Sequence, residues 1–208
     1  MKNLNTQSDV EEYLKSGAMT CPFLKDEFVK EKVYKDYNFK KQTNPNASPL
    51  LSLASWIKAN VKFCDDKEFS SKNKFGRTAK QVWESKVATG CTDYAIVFAT
   101  LARQLGYATT LLHTAEEEWV KSLKNGEKPN CAVGHSFCEC FDKEKGKWIL
   151  VDPTCREIVE DYDAERLVLP YDKLGHRVYL PYFRGKDLGE VQNIKTHNVE
   201  MEKACKLL

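Results

Sequence analysis

The chain has 208 residues, 42% of them hydrophobic and 11% aromatic, which suits one well-cored domain and excludes a disordered segment. Its 32 basic and 30 acidic residues leave a formal charge of +2 with no basic block, which argues against nucleic acid as the main partner. No apolar run approaches the roughly 18 residues of a membrane span, and residues 1–17 lack a signal-peptide core, so the expectation is a cytoplasmic protein with no membrane partner.

In chain order, Ser8 and Glu11 have capping-box spacing and predict a first helix with Val10, Tyr13 and Leu14 on one face. A second helix is expected over Lys25–Tyr34, and the polar stretch Asn38–Asn46 reads as a loop. Ser48-Pro49 is a cap followed by proline, opening a helix whose apolar face runs from Leu50 to Val61. Cys64–Arg77 is charged and irregular, an expected surface connection. Thr78 and Gln81 again have capping-box spacing and open a helix through Ser85. After Gly106 the pattern turns β-like: strands are predicted at Tyr107–His113, Gly134–Phe141, Lys147–Val151 and Val178–Phe183. Between and after them, helices are expected at Ala115–Leu123 and Asn198–Leu207, with a loop over Lys124–Asn130. Helices first and a hairpin-rich sheet later predict an α+β fold. The domain reading is a single unit over 1–208: a helical lead-in (1–77), a core (78–154) and a C-terminal strand and helix (155–208).

The most informative stretch is Gly90–Gly106, GCTDYAIVFATLARQLG. Tyr94, Val97, Phe98, Leu101 and Leu105 recur at helical spacing, and Gly106 fits a left-handed helix end. Cys91 then stands at the helix start, where unpaired backbone N–H groups favour a thiolate, and Asp93 complements the same positive end. Gly90 leaves room for close approach of a backbone or a substrate. In GHSFCECF, alternation puts His135, Phe137, Glu139 and Phe141 on one face and Ser136, Cys138 and Cys140 on the other. A four-residue loop over Asp142–Lys145 would pair Phe141 with Gly146 and place His135 opposite Asp152. Thiol, imidazole and carboxylate together make a nucleophile, its base and the group that orients the base.

These motifs resemble the transglutaminase-like superfamily of papain-related cysteine enzymes, in its compact microbial form. The likeness runs through TAKQVWESKVATGCTDYAIVFATLARQLGYATT, GHSFCECF and WILVDPT, so it covers Thr78 to Thr154. It implies a nucleophile at Cys91, a base at His135, an orienting acid at Asp152, and a cysteine-bearing helix packed on an antiparallel sheet. The implied activity is acyl transfer on an amide or peptide bond through a thioester, resolved by water or by an amine, with no metal or other cofactor and a peptide or protein amide as partner. The chain departs from the pattern at Thr92, where classical members carry tryptophan, and at Thr109 and Thr110, where many carry arginine. The resemblance therefore supports the acyl-transfer site better than protein cross-linking.

Two other readings stand beside this one. The fold could serve as an idle binding module, with Trp119, Tyr182 and Phe183 as partner-facing aromatics. Cys131, His135, Cys138, Cys140 and Cys155 could form a zinc site, although alternation separates Cys138 and Cys140 from His135. Gln81 and Trp83 are candidates for a second oxyanion donor beside the Cys91 N–H. His113, His176 and His197 read as surface or structural histidines, and most of the other cysteines as reduced, small, buried hydrophobes. The oligomeric state is open.

Overall fold

A computed structural model of the protein describes residues 4, 7–128, 133–164, 167–168, 178–188 and 194–206. Its helices are α1 (Gln7–Tyr13), α2 (Asp26–Lys41), α3 (Pro49–Asn60), α4 (Lys67–Asn73), α5 (Ala79–Ser85), α6 (Cys91–Gln104), α7 (Glu117–Lys124) and α8 (Ile194–Cys205). Its strands are β1 (Lys62–Phe63), β2 (Val87–Ala88), β3 (Thr109–Glu116), β4 (Gly134–Asp142), β5 (Lys147–Asp152), β6 (Glu157–Val159), β7 (Leu167–Val168) and β8 (Val178–Gly185).

Helix α6 is the centre of the packing. The sequence predicts one apolar face, yet every residue from Thr92 to Gln104 is buried, because helices cover one side of α6 and the sheet covers the other. Tyr94, Phe98 and Leu101 lie wholly inside, each contributing about 1.5–3 kcal/mol of burial. The polar residues on α6 survive burial by finding partners. Gln104 Nε2 donates to Leu24 O at 2.7 Å and to Asp26 Oδ1 at 2.7 Å. Arg103 donates to Thr109 O, Tyr13 O, Lys186 O and Thr20 Oγ1, tying β3, the residue after β8 and the N-terminal segment to the helix end. Gly106 follows at φ +89°, the left-handed stop expected there.

The sheet has strand order β6-β5-β4-β3-β8-β7, antiparallel throughout. One face gives Leu111, Cys138, Cys140, Ile149 and Val151 to the core shared with α6. The other face carries a smaller cluster of Leu112, Phe137, Leu150 and Tyr179. This α+β architecture, a helix-borne cysteine packed on an antiparallel sheet with helices ahead of it, is the one the motifs imply.

Several local expectations need correction. Ser8 lies inside α1, which begins at Gln7, so it is not the cap. Helix α2 continues to Lys41, through the first part of the expected loop, because Val29 and Val33 are buried against the core and outweigh the polar composition. The expected surface connection contains α4, capped by Asp66 Oδ1 accepting from Glu68 N and Phe69 N. Ser48 and the Thr78–Gln81 capping box act as predicted. Strands β6 and β7 had no signal in the sequence pattern. Among the described residues no helix is long and apolar enough to cross a membrane.

Candidate active site

The turn leading into α6 is held from beneath. Asp93, expected only to complement the helix dipole, is 1% exposed and accepts from Thr89 N at 2.6 Å and Thr89 Oγ1 at 2.7 Å. It also pairs with Arg77, which donates further to Ser85 Oγ and Val87 O. Arg77 therefore belongs to the buried foundation of the turn rather than to a surface loop. Gly90 has extended backbone with φ 174°, a conformation open to any residue. A Cβ there would meet only Lys74 Cε, at 3.8 Å, so the space beside Cys91 is open.

His135 is the second residue of β4. Its Nε2 lies 2.9 Å from Asp152 Oδ2, and its ring packs edge-on against Phe137 at 4.6 Å between centroids. The expected pairing of these strands is off by two. Asp142 pairs with Lys147 and Cys138 with Val151, so the turn is Lys143–Gly146, and continuing the ladder sets Phe137 rather than His135 opposite Asp152. The turn sits one residue later because Asp142 Oδ1 accepts from Glu144 N and Lys145 N while Gly146 takes φ +64°. A shift of two keeps side chains on the same face, so His135 reaches Asp152 diagonally. Asp152 is fixed by accepting from Thr154 N at 2.8 Å and Cys155 N at 3.0 Å through its other oxygen.

The electrostatics of Cys91 and His135 are inverted relative to the free groups. Burial opposes ionisation of the Cys91 thiol, but the His135 charge and hydrogen bond, with hydrogen bonds from Ser136, pull it down to about 7. Burial likewise opposes the imidazolium, yet the Cys91 thiolate and Asp152 lift His135 to about 10. Asp152 stays below the usual carboxylate range because hydrogen bonds from His135, Cys155 and Thr154 outweigh its burial. Cys138 and Cys140 go the other way: burial raises both, Cys140 to about 12.

Ser136 of β4 reaches the thiol and links it to further side chains on α6 and β3. Ser136 Oγ lies 2.9 Å from Thr92 Oγ1 and 2.9 Å from His113 Nδ1. His113 is 5% exposed, and burial, then the nearby His197 and His135, push it down to about 3, so its ring is neutral. Sequence alone marks His113 as no more than a surface or structural histidine, because nothing in one chain segment reveals that it pairs with Ser136 across strands. The departure at Thr92 acquires a use here, as the hydroxyl partner of Ser136.

These groups open into a cavity of about 340 Å³ whose outer wall includes Lys74, Phe75, Tyr182, His197 and Met201. The β3–β8 ladder slips between His113 and Thr114, where His113 faces Phe183 and Thr114 faces Pro181, leaving Tyr182 as the extra residue. The bulge frees Tyr182 to turn its hydroxyl to His197 Nε2, 3.3 Å away. Trp119 by contrast is buried at 6% exposure among Ala115, Val120 and Met201, so it offers no partner-facing surface. Gln81 is occupied with the Thr78 cap, and Trp83 packs against Trp56 and Phe23, so neither is placed to hold an oxyanion. His176 and Cys131 lie outside the described residues. Among the described residues, no three His, Cys, Asp or Glu side chains gather as a metal site.

Comparison with known proteins bears on the family and the fold. The sequence model of the transglutaminase-like superfamily matches residues 34–153, more than half of the chain. The chain belongs to that superfamily. Among solved structures, one described as "a Putative Cysteine Protease from Cytophaga hutchinsonii" is similar at 16% identity and a TM-score of 0.53. The match covers 90% of the present chain and 51% of the Cytophaga chain, so this transglutaminase-like chain spans about half the length of that neighbour. At that identity the likeness is one of fold. No curated protein matches the sequence.

Proposed function

We propose that this transglutaminase-like protein is an enzyme that transfers an acyl group from an amide or peptide bond through a Cys91 thioester, with His135 as base and acid and Asp152 as the orienting group. The supporting observation is positional: Cys91 begins α6, in the same cavity as an imidazole whose Nε2 is held by Asp152 at 2.9 Å. That leaves His135 Nδ1 for the thiol. With the proton already on the imidazole, the thiolate attacks the amide carbon and forms the C–S bond, moving the carbonyl electrons onto oxygen. The Cys91 N–H, at the first turn of α6 where no intrahelical acceptor exists, is the donor expected at that oxyanion. Collapse breaks the C–N bond, and the His135 proton goes to the leaving amine or ammonia. Water or a primary amine then gives its proton to His135, attacks the thioester and releases Cys91 as thiolate.

Ser136 and His113 complete this reading as positioning residues. A neutral His113 protonated at Nδ1 donates to Ser136 Oγ, so the single Ser136 proton is free for the Cys91 sulfur. The hydroxyl and backbone N–H of Ser136 then stabilise the thiolate alongside the imidazolium. The description of the Cytophaga neighbour favours hydrolysis as the first activity to seek.

The test is mass spectrometry of methylated casein incubated with the protein, with and without cadaverine. New peptide termini signify hydrolysis, and cadaverine adducts with loss of ammonia signify transamidation. Either should vanish in Cys91→Ala and His135→Ala proteins that still fold. Products that persist in Cys91→Ala would refute the mechanism.

A further inference from the structure

The cavity beside Cys91 has a charge pattern that the acyl-transfer chemistry does not require. Among the described residues, none of those lining it is an aspartate or glutamate, whereas Lys74 and His135 both are cationic partners. Two carboxylates beside the site are already engaged, Asp152 by His135 and backbone N–H groups, Asp93 by Arg77 and Thr89. The imidazolium of His135 is matched by the Cys91 thiolate. Lys74 has no such match: among the described residues it makes no ion pair.

The position of Lys74 is built by the backbone. Phe75 sits at φ +68°, a left-handed conformation that a bulky side chain rarely adopts. Strain of that kind persists where the surroundings over-determine it, often at ligand clamps. Here the Phe75 ring stacks on His197, with centroids 3.9 Å apart and planes at 18°. The Lys74 ammonium lies 5.3 Å from the same ring centroid, and its Cε passes 3.8 Å from the open position over Gly90. The ammonium is thus laid along the cavity wall next to the reactive cysteine.

We propose that Lys74 is the specificity-determining residue of this cavity and that it selects acyl donors carrying a carboxylate near the scissile amide, namely acidic peptides. The proposal rests on Cys91 being the nucleophile. The carboxylate would exchange part of its water for the Lys74 ammonium, against the flat face of the Phe75–His197 stack. No bond to Lys74 forms or breaks, so its effect is on binding and not on the chemical step.

Paired alkylating reagents test this without a known substrate. Iodoacetate carries the carboxylate and iodoacetamide does not, and both report on Cys91 by peptide-mapped labelling at pH 7.5. A unit charge about 6 Å away at an effective dielectric of about 40 is worth about tenfold, and solvent exposure reduces it. The ratio of iodoacetate to iodoacetamide rates should therefore fall about three- to tenfold in Lys74→Gln and further in Lys74→Glu. The iodoacetamide rate should stay within about twofold, and Lys72→Gln, an exposed change in the last turn of α4 just before Lys74, should leave the ratio alone. A ratio unmoved in both Lys74 variants, or moved equally by Lys72→Gln, overturns the proposal. Slow labelling of wild-type Cys91 by both reagents would instead overturn the nucleophile itself and the proposal with it. In a second arm, a short blocked peptide containing glutamate should protect Cys91 from iodoacetamide at lower concentration than its glutamine counterpart, and Lys74→Gln should erase the difference. Equal protection, or none by either peptide, counts against the proposal.

Discussion

Replacing His135 by alanine should change the pH dependence of Cys91 reactivity in a way that a simple loss of structure would not. In the native site the thiol titrates at about 7, held there against burial by the His135 charge and hydrogen bond. Without the imidazole, burial remains, and the thiol returns at least to its ordinary value of about 8.5. At pH 7 the thiolate fraction then falls from about one half to about 3%, roughly sixteenfold. A more basic thiolate is also a better nucleophile, by about fivefold for that change at a Brønsted slope of about 0.45. The net expectation is a rate about three- to fourfold lower at pH 7 and about sixfold lower near pH 5.5, but about fourfold higher at pH 9.5. The two profiles should cross between about pH 7.5 and 8.5. The assay is thiol–disulfide exchange with an uncharged aromatic disulfide, followed by release of the aromatic thiol, with the Cys91→Ala protein subtracted as background. Parallel profiles, or a uniform drop at every pH, would refute an ion pair between Cys91 and His135.

Asp152→Asn should keep the folded state, since an amide oxygen can still accept from Thr154 and Cys155, yet lower activity and narrow its alkaline limb as the His135 pKa drops. Asp152→Ala should cost a further ~1 kcal/mol in urea unfolding for the part-buried N–H groups of Thr154 and Cys155 that it strands, and equal stability of the two variants would contradict that role. Gly90→Ala should melt close to the native protein because its Cβ meets only Lys74 Cε at 3.8 Å, whereas Gly134→Ala should be markedly destabilised because its Cβ would lie 2.1 Å from Thr114 O. Calorimetry of the pair checks this, and a Gly134→Ala protein as stable as wild type would mean that the β3–β4 contact is not as close as described. Arg103→Lys should lose about 2–4 kcal/mol of unfolding free energy, because one ammonium cannot replace a planar fork that reaches Thr109 O, Tyr13 O, Lys186 O and Thr20 Oγ1. A near-neutral Arg103→Lys would show that those carbonyls are satisfied in other ways.

The parts of this protein that could be read from sequence are those governed by interactions between near neighbours. The Ser48 and Thr78 caps, the helix opening at Cys91, its stop at Gly106 and the face-by-face sorting of GHSFCECF depend on groups a few residues apart, so they were legible. Cys91, His135 and Asp152 stood out for the same reason, each marked by its local context and together by the family likeness. Tertiary structure decided what lies between segments. The β4–β5 register turned on Asp142 and Gly146 placing the turn one residue later, and only the parity of the shift kept His135 within reach of Asp152. His113 became a partner of Ser136 through the pairing of β3 with β4, and Tyr182 reached His197 through the β3–β8 bulge. Arg77 looked like a surface charge because its partner Asp93 is sixteen residues away and meets it only once α6 is seated. Lys74 looked equally ordinary, since nothing local says that Phe75 will turn left-handed and lay that ammonium beside Gly90. Short-range hydrogen bonding and periodicity write themselves into consecutive residues, whereas the walls of a cavity are assembled from strands and loops whose proximity is settled by burying one shared core.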